Sequence, residues 1–217
     1  MKKIKLLFLL TAAVTLYSCL GLAVDIQMNK DGSGKLTMEY RVSRAIESLG
    51  VLDGSEKPVI PVGRSDWERS IELIPGARIA SFSSNQKDND IITSVVIQFD
   101  NPAALLMILD PGNSRSSASL NNNSFNFILN DKSSAMDFSE YDESLMELAR
   151  MMFAEYNFSL SFTAPANSTL TITDKDGHAA ALPAQSEVVS TGRKVSMKMG
   201  IMELIEMKNG LGVKINW

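Results

Sequence analysis

Cysteine and histidine are each present once in this chain of 217 residues. A single cysteine excludes a disulfide framework and a thiolate cluster, and a single histidine excludes the two-histidine zinc motifs. No Gly-rich phosphate loop and no Gly-x-Ser-x-Gly nucleophile elbow is present. Basic residues are also in short supply, with 21 Lys and Arg against 25 Asp and Glu. Three of those cations, Lys2, Lys3 and Lys5, lie in the first five residues, so everything after them is more acidic than the whole. Such a balance argues against nucleic acid as a partner, and against binding anionic headgroups through a general basic field. A hydrophobic content of 45% excludes disorder as the general state, and stability must come from packing alone.

The cysteine that is present sits in an informative place. Lys2, Lys3 and Lys5 form a basic n-region, and Leu6 to Leu16 is an almost unbroken apolar run. Leu16-Tyr17-Ser18-Cys19 then resembles a lipobox, the site at which signal peptidase cuts before a lipid-modified cysteine. The run is shorter than the ~20 residues of a transmembrane helix and has signal-peptide flanks. The expected organisation is a lipoprotein signal peptide over 1–18 and one extracytoplasmic α+β domain over 19–217. Cys19 would carry the acyl chains, and two or more chains suffice for stable anchoring where one does not. An ordinary cleaved signal peptide is the alternative. The lipoprotein reading places the protein in a bacterial cell envelope, on the extracytoplasmic side of the outer or cytoplasmic membrane.

Alternating apolar residues predict strands over Leu22 to Met28 and Lys35 to Val42. Asn29-Lys30-Asp31-Gly32-Ser33-Gly34 supplies the turn between them. A short helix is expected over Ser43 to Leu49. A second follows a capping box at Ser65-Asp66-Trp67-Glu68, carrying Trp67, Ile71 and Ile74 to a stop at Pro75-Gly76. A second hairpin is expected from Ala77 to Ser84 and Ile91 to Phe99. Asn101-Pro102 caps a helix whose residues Ala103 to Leu109 are all apolar. It must be buried all round, touch lipid or close an apolar cavity.

The Ser- and Asn-rich stretch from Asn113 to Asn123 predicts a mobile loop, with a strand after it at Phe125 to Leu129. The longest helix is expected from Ser139 to about Tyr156, where Tyr141, Leu145, Leu148, Met152 and Tyr156 recur at helical spacing. Strands then resume at Asn157 to Thr163, Ser168 to Thr173, Glu187 to Ser190, Lys194 to Met199 and Leu211 to Trp217. Ile201 to Met207 fits a short helix or a strand equally well. Paired hairpins with inserted helices imply an α+β fold with a mainly antiparallel sheet, one long helix and several short ones.

Few residue sets point to catalysis. His178 lies in Asp174-Lys175-Asp176-Gly177-His178; a general base needs an orienting partner and a pocket, which turns seldom provide, so a solvated turn histidine is expected. The same string begins like a calcium loop, but its twelfth position is Gln185 where a bidentate glutamate is required, so no metal site is expected. No cofactor and no enzymatic activity are expected.

The positive signal is apolar and rich in methionine. Val195, Met197 and Met199 alternate along one strand, Met146, Met151 and Met152 populate the long helix, and Met107 the all-apolar one. Methionine adapts to varied apolar surfaces, and filling a core is its commoner use. Taken together, the Met-rich sheet and helices suggest a cavity for a lipid or other apolar small molecule. Leu105, Leu106, Leu145, Met152, Met197 and Met199 are the expected lining.

Val24-Asp25-Ile26 through Asn29-Lys30-Asp31-Gly32-Ser33-Gly34-Lys35-Leu36-Thr37 resembles the LppM-like family of bacterial lipoproteins. So do Gly192-Arg193-Lys194-Val195-Ser196, Gly210-Leu211-Gly212-Val213 and Trp217 at the other end. The resemblance implies a curved antiparallel sheet in a helix-grip-like arrangement, and binding of glycolipids or phospholipids; it transfers no catalytic residue. The expected function is an envelope lipoprotein that binds or shuttles a lipid or other apolar ligand. The alternative is an adaptor whose sheet edge or apolar helix docks on an envelope membrane protein.

Overall fold

The computed structural model describes residues 20–43, 63–87, 90–109, 116–121, 123–129, 147, 150–151, 154, 156–207 and 210–217. Cys19 and residues 44–49 of the helix expected over Ser43 to Leu49 lie outside them; Ser43, its expected N-cap, is strand and pairs with Asp90. Most of the helix expected over 139–156 lies outside them too; of it, Glu147, Arg150 and Met151 are helical.

Two sheets carry the fold. β1 (Leu20–Met28) and β2 (Gly34–Ser43) form the predicted first hairpin, with Ile26 opposite Leu36 and Val24 opposite Met38. β3 (Ala77–Lys87) and β4 (Asp90–Phe99) form the second, and β4 pairs along its whole length with β2. On the other side of β1 lie β7 (Asn157–Thr163), β10 (Lys194–Gly200) and β9 (Glu187–Thr191). The seven-stranded order is β3-β4-β2-β1-β7-β10-β9, antiparallel throughout except where β1 runs parallel to β7. That parallel pair, Leu22 with Phe158 to Gln27 with Thr163, joins segments more than a hundred residues apart, which no local pattern announces.

The second sheet has the order β5-β6-β11-β8, from β5 (Ser116–Asn121), β6 (Ser124–Leu129), β11 (Leu211–Asn216) and β8 (Thr169–Thr173). β5 corrects the expectation of a mobile loop over Asn113 to Asn123. Its serines and asparagines have low strand propensity, but antiparallel pairing with β6 places Ala118 and Leu120 against the core. Pairing and burial outweigh intrinsic preference.

Helices close the ends. α1 (Arg64–Glu72) starts earlier than the sequence suggests. Gly63 is its N-cap, and the Gly63 amide donates to Asp66 Oδ2 at 3.2 Å, so Asp66 serves where Glu68 was expected. Trp67 and Ile71 of α1 and Ile74 beyond it reach the core, and Trp67 Nε1 donates to the Tyr40 hydroxyl at 3.0 Å. Burial of that hydroxyl pushes the Tyr40 pKa up, against the lowering effect of the Trp67 hydrogen bond.

α2 (Pro102–Leu109) is capped as expected, its Ala104 amide donating to Asn101 Oδ1 at 2.9 Å. It is not buried all round: Ala104, Leu105 and Ile108 face the core, while Ala103 and Met107 are exposed. Ile201–Glu206 resolves as a short helix, α3, continuing directly from β10.

One buried cluster spans both sheets. Ile26, Leu36, Val95, Ile97, Phe162 and Val195 line the inner face of the larger sheet, and Phe125, Val213 and Ile215 come from the smaller one. Phe125 stacks on Phe162 across the gap, with Phe127 and Trp217 extending the aromatic row at either end. The inner face of the larger sheet is therefore covered by the smaller sheet and by α1, α2 and α3. Among the described residues of the 139–156 helix, Glu147, Arg150, Met151 and Ala154 are all exposed, so none of them grips that face.

Candidate ligand cleft

The expected lining residues do not converge. Met197 and Met199 are buried in β10, paired across the ladder with Leu160 and Phe158. Leu105 is fully buried on α2 and Leu106 half-buried beside it; β4, on which α2 packs, is separated from β10 by β2, β1 and β7. Leu145 and Met152 lie outside the described residues. The four that are described fill the core or flank it, and none of them lines the clefts described below.

A cleft of ≈ 600 Å³ with both apolar and polar lining opens at the end of the molecule where β1 finishes. Its first wall is the β1–β2 turn. There the Asn29 amide donates to the Ser33 carbonyl at 2.8 Å, and Gly32 takes φ 83°, a left-handed conformation open to glycine. A Cβ on Gly32 would stand 2.9 Å from the Pro102 ring, so the turn is seated directly on the first residue of α2. Asp31 Oδ1 accepts from the Ser33 hydroxyl at 2.7 Å and from its amide at 3.0 Å, and these bonds hold its carboxyl below the ordinary aspartate range.

The opposite wall is the β5–β6 turn, with Leu120, Asn121 and Asn123. Trp217 is fastened to it by its amide, which donates to the Asn123 carbonyl at 2.9 Å, and by its ring, stacked 5.7 Å from that of Phe162. Pro165 and Ala166 complete the rim. Their loop is strapped by the β9–β10 turn: Arg193 Nε donates to the Ala164 carbonyl at 2.8 Å, and the Ser168 amide donates to the Gly192 carbonyl at 2.8 Å. Five separate stretches of chain thus meet around a half-buried indole.

The lining of this cleft is part apolar and part amide. Met28, Pro102, Leu120 and Trp217 give it an apolar surface, and Asn29, Asn121 and Asn123 ring it with amides that both donate and accept. Its titratable lining residues are Lys30 and Asp31, adjacent in sequence, and Asp31 is committed to Ser33. That is no acid–base pair aimed at a common atom.

The turn of Asp174, Asp176 and His178 brings candidate metal ligands within 4.8 Å of one another. Turn geometry accounts for it: Asp174 Oδ1 accepts from the amides of Asp176 at 2.9 Å and His178 at 2.8 Å. Desolvation raises the Asp174 pKa, and these hydrogen bonds together outweigh it, leaving the carboxyl below its ordinary value. The His178 ring is 80% exposed and lies 3.3 Å from Asp174 Oδ2, the solvated turn histidine that the sequence suggests.

Sequence reasoning missed Trp217, Asn121, Asn123 and Pro165 as site residues. No sequence signal marked them: they are ordinary residues that strand pairing brings together from distant parts of the chain.

No family model and no curated protein matches the chain. Among solved structures it is similar to the folded domain of Mycobacterium tuberculosis LppM, determined by NMR. That similarity has 13% sequence identity and a TM-score of 0.42, and covers 92% of this chain and 90% of that one. A likeness of that degree carries no residue role and no ligand from one chain to the other.

Proposed function

We propose that this chain is a bacterial envelope lipoprotein, cut before Cys19 and acylated there, whose domain binds or shuttles a lipid or other amphiphile. The N-terminal basic and apolar pattern ending at Cys19 supports the anchor. The observation that carries the binding role is the cleft itself. Its indole and aliphatic surface suits an apolar or flat moiety, and its asparagine rim suits a polar head on the same molecule. The expected site moves accordingly, from the packed methionines of β10 to the end of β1. Catalysis is not part of the reading.

The test is native mass spectrometry of the full chain purified from bacterial membranes, followed by lipid extraction. The expected result is an acylated chain carrying one additional lipid, which is lost in Trp217→Ala while the acyl group stays. A bare acylated chain that takes up nothing from an envelope lipid extract would overturn the binding role.

A second reading has its own observation. Met107 on α2 is 44% exposed and Leu73, at the end of α1, is 79% exposed. Met107, with Ala103, gives α2 an exposed apolar side, the surface through which an adaptor would dock on an envelope protein. In that case Met107→Lys abolishes partner crosslinking and leaves lipid content unchanged.

A further inference from the structure

We infer that the domain stands on end, with the edge where β1 begins pressed on the headgroup layer that holds the acyl chains, and the Trp217 cleft facing away. This rests on the lipoprotein reading and adds an orientation to it. The occupant of that edge is the phospholipid surface of the leaflet in which Cys19 is anchored.

Tether length makes the argument. Cys19 is joined by one peptide unit, about 3.8 Å, to Leu20, the first residue of β1. No flexible segment intervenes, so the acyl chains cannot enter the bilayer without drawing this end of the sheet onto it. The same end carries Asn157 beside Leu20 and Gly200 beside Asn157. At strand spacing, Gly200 is about 10 Å from Leu20.

Around Gly200 opens a pocket of ≈ 300 Å³ lined by Arg150, Lys198, Glu187, Glu203 and Met202, among others. Two cations and two carboxylates balance there in a chain that is acidic overall. The pocket itself therefore offers a headgroup layer of paired ammonium and phosphate no net charge. Met151, next to Arg150, is 68% exposed.

From Leu20 the strand runs nine residues to Met28, about 26 Å at the usual rise. Met28 lines the Trp217 cleft. A lipid lying in the anchoring leaflet cannot reach that cleft while the domain stands upright. Its ligand must come from the aqueous side or from the surface opposite.

The test uses the full acylated chain in vesicles of phosphatidylethanolamine with a minor share of phosphatidylglycerol. Because acylation consumes the only cysteine, Gln185→Cys at the lower pocket or Lys30→Cys at the cleft gives a unique labelling site. Each carries an environment-sensitive fluorophore, and the vesicles carry a headgroup-attached nitroxide quencher. Both sites are exposed, so the fold tolerates them.

The expected result is loss of fluorescence at 185 and none at 30. Inserting about ten Gly/Ser residues between Cys19 and Leu20 lengthens the tether by about 17 Å and should abolish quenching at 185. Equal quenching at the two positions, or stronger quenching at 30, overturns the orientation. Intact mass separates the two failures: an unmodified Cys19 overturns the lipoprotein reading and the orientation with it, whereas a failed quenching pattern on an acylated chain overturns the orientation alone.

Discussion

Phe125 of β6 stacks on Phe162 of β7 with ring centroids 5.1 Å apart and planes 19° from parallel, and this contact joins the two sheets. Both rings are fully buried. Replacing Phe125 by Ala should lower the unfolding free energy by about 3–5 kcal/mol, read from urea titrations. Combined with Phe162→Ala it should show a coupling of about 0.5–1.5 kcal/mol. Strictly additive losses would mean that the sheets are held together elsewhere.

Gly32 links the first turn to α2. Alanine there meets a left-handed φ and the Pro102 ring at once, and the conformational part alone costs about 1–2 kcal/mol. The turn must lift from Pro102, which opens the cleft on one side. Gly32→Ala is expected to weaken ligand retention in native mass spectrometry more than Gly177→Ala, whose added Cβ meets nothing within 4 Å although its φ is also positive. Equal effects of the two would remove the turn from the site.

Arg41 and Asp90 form an ion pair at the end of β2 and β4, with the Arg41 guanidinium 5.6 Å from the centre of the Tyr156 ring and the Tyr156 hydroxyl donating to Asp90 Oδ1 at 3.4 Å. Asp90 is one of few buried polar residues in the described chain. Asp90→Ala should cost about 1.5–3 kcal/mol, because it removes the carboxylate that the Arg41 guanidinium and the Tyr156 hydroxyl both bind. Thermal unfolding measures it, and an unchanged midpoint would show that water replaces the carboxylate at no cost.

Asp31 supplies a pH test. Its folded pKa lies below the ordinary value because Ser33 donates to the ionised form. A depressed carboxylate stabilises the fold above its unfolded pKa, and that contribution fades as pH falls through the folded value. Carbon-detected NMR should show Asp31 titrating low in the native chain and moving up toward the ordinary range in Ser33→Ala. No movement would assign the shift to another cause.

Met197 and Met199 were the expected ligand lining, and their burial changes what substitution there reports. A carboxylate at either position would sit among apolar side chains without a partner, so Met199→Asp should fail to fold, read as loss of soluble protein. Met199→Ala should fold with about 2–5 kcal/mol less stability and keep its cleft ligand. Loss of ligand from a folded Met199→Ala chain would restore the β10 face as the site.

Local chemistry made a large part of this fold legible. Period-two alternation marked β1, β2, β4, β7 and β10 because one face of each is buried, and the Asn29–Gly34 turn could only be a hairpin. Asn101-Pro102 fixed the start of α2 through a side-chain cap that needs no distant partner. Tertiary structure decided the rest. β5 is a strand because β6 is beside it, whatever its serines prefer.

Ile201 to Glu206 is a helix that follows directly on β10, its start fixed by the Gly200 amide, which donates to Glu203 Oε2 at 3.1 Å. The cleft has no sequence signature, since Met28, Pro102, Asn121, Pro165 and Trp217 are ordinary residues until β1 pairs with β7 and the two sheets stack. The sequence alone determined the hairpins, the caps and the alternation that marks the core strands, all set by contacts between near neighbours. Which strands lie side by side, and which surface stays open to a ligand, depended on contacts between residues a hundred or more positions apart, where only packing of the whole chain selects the partner.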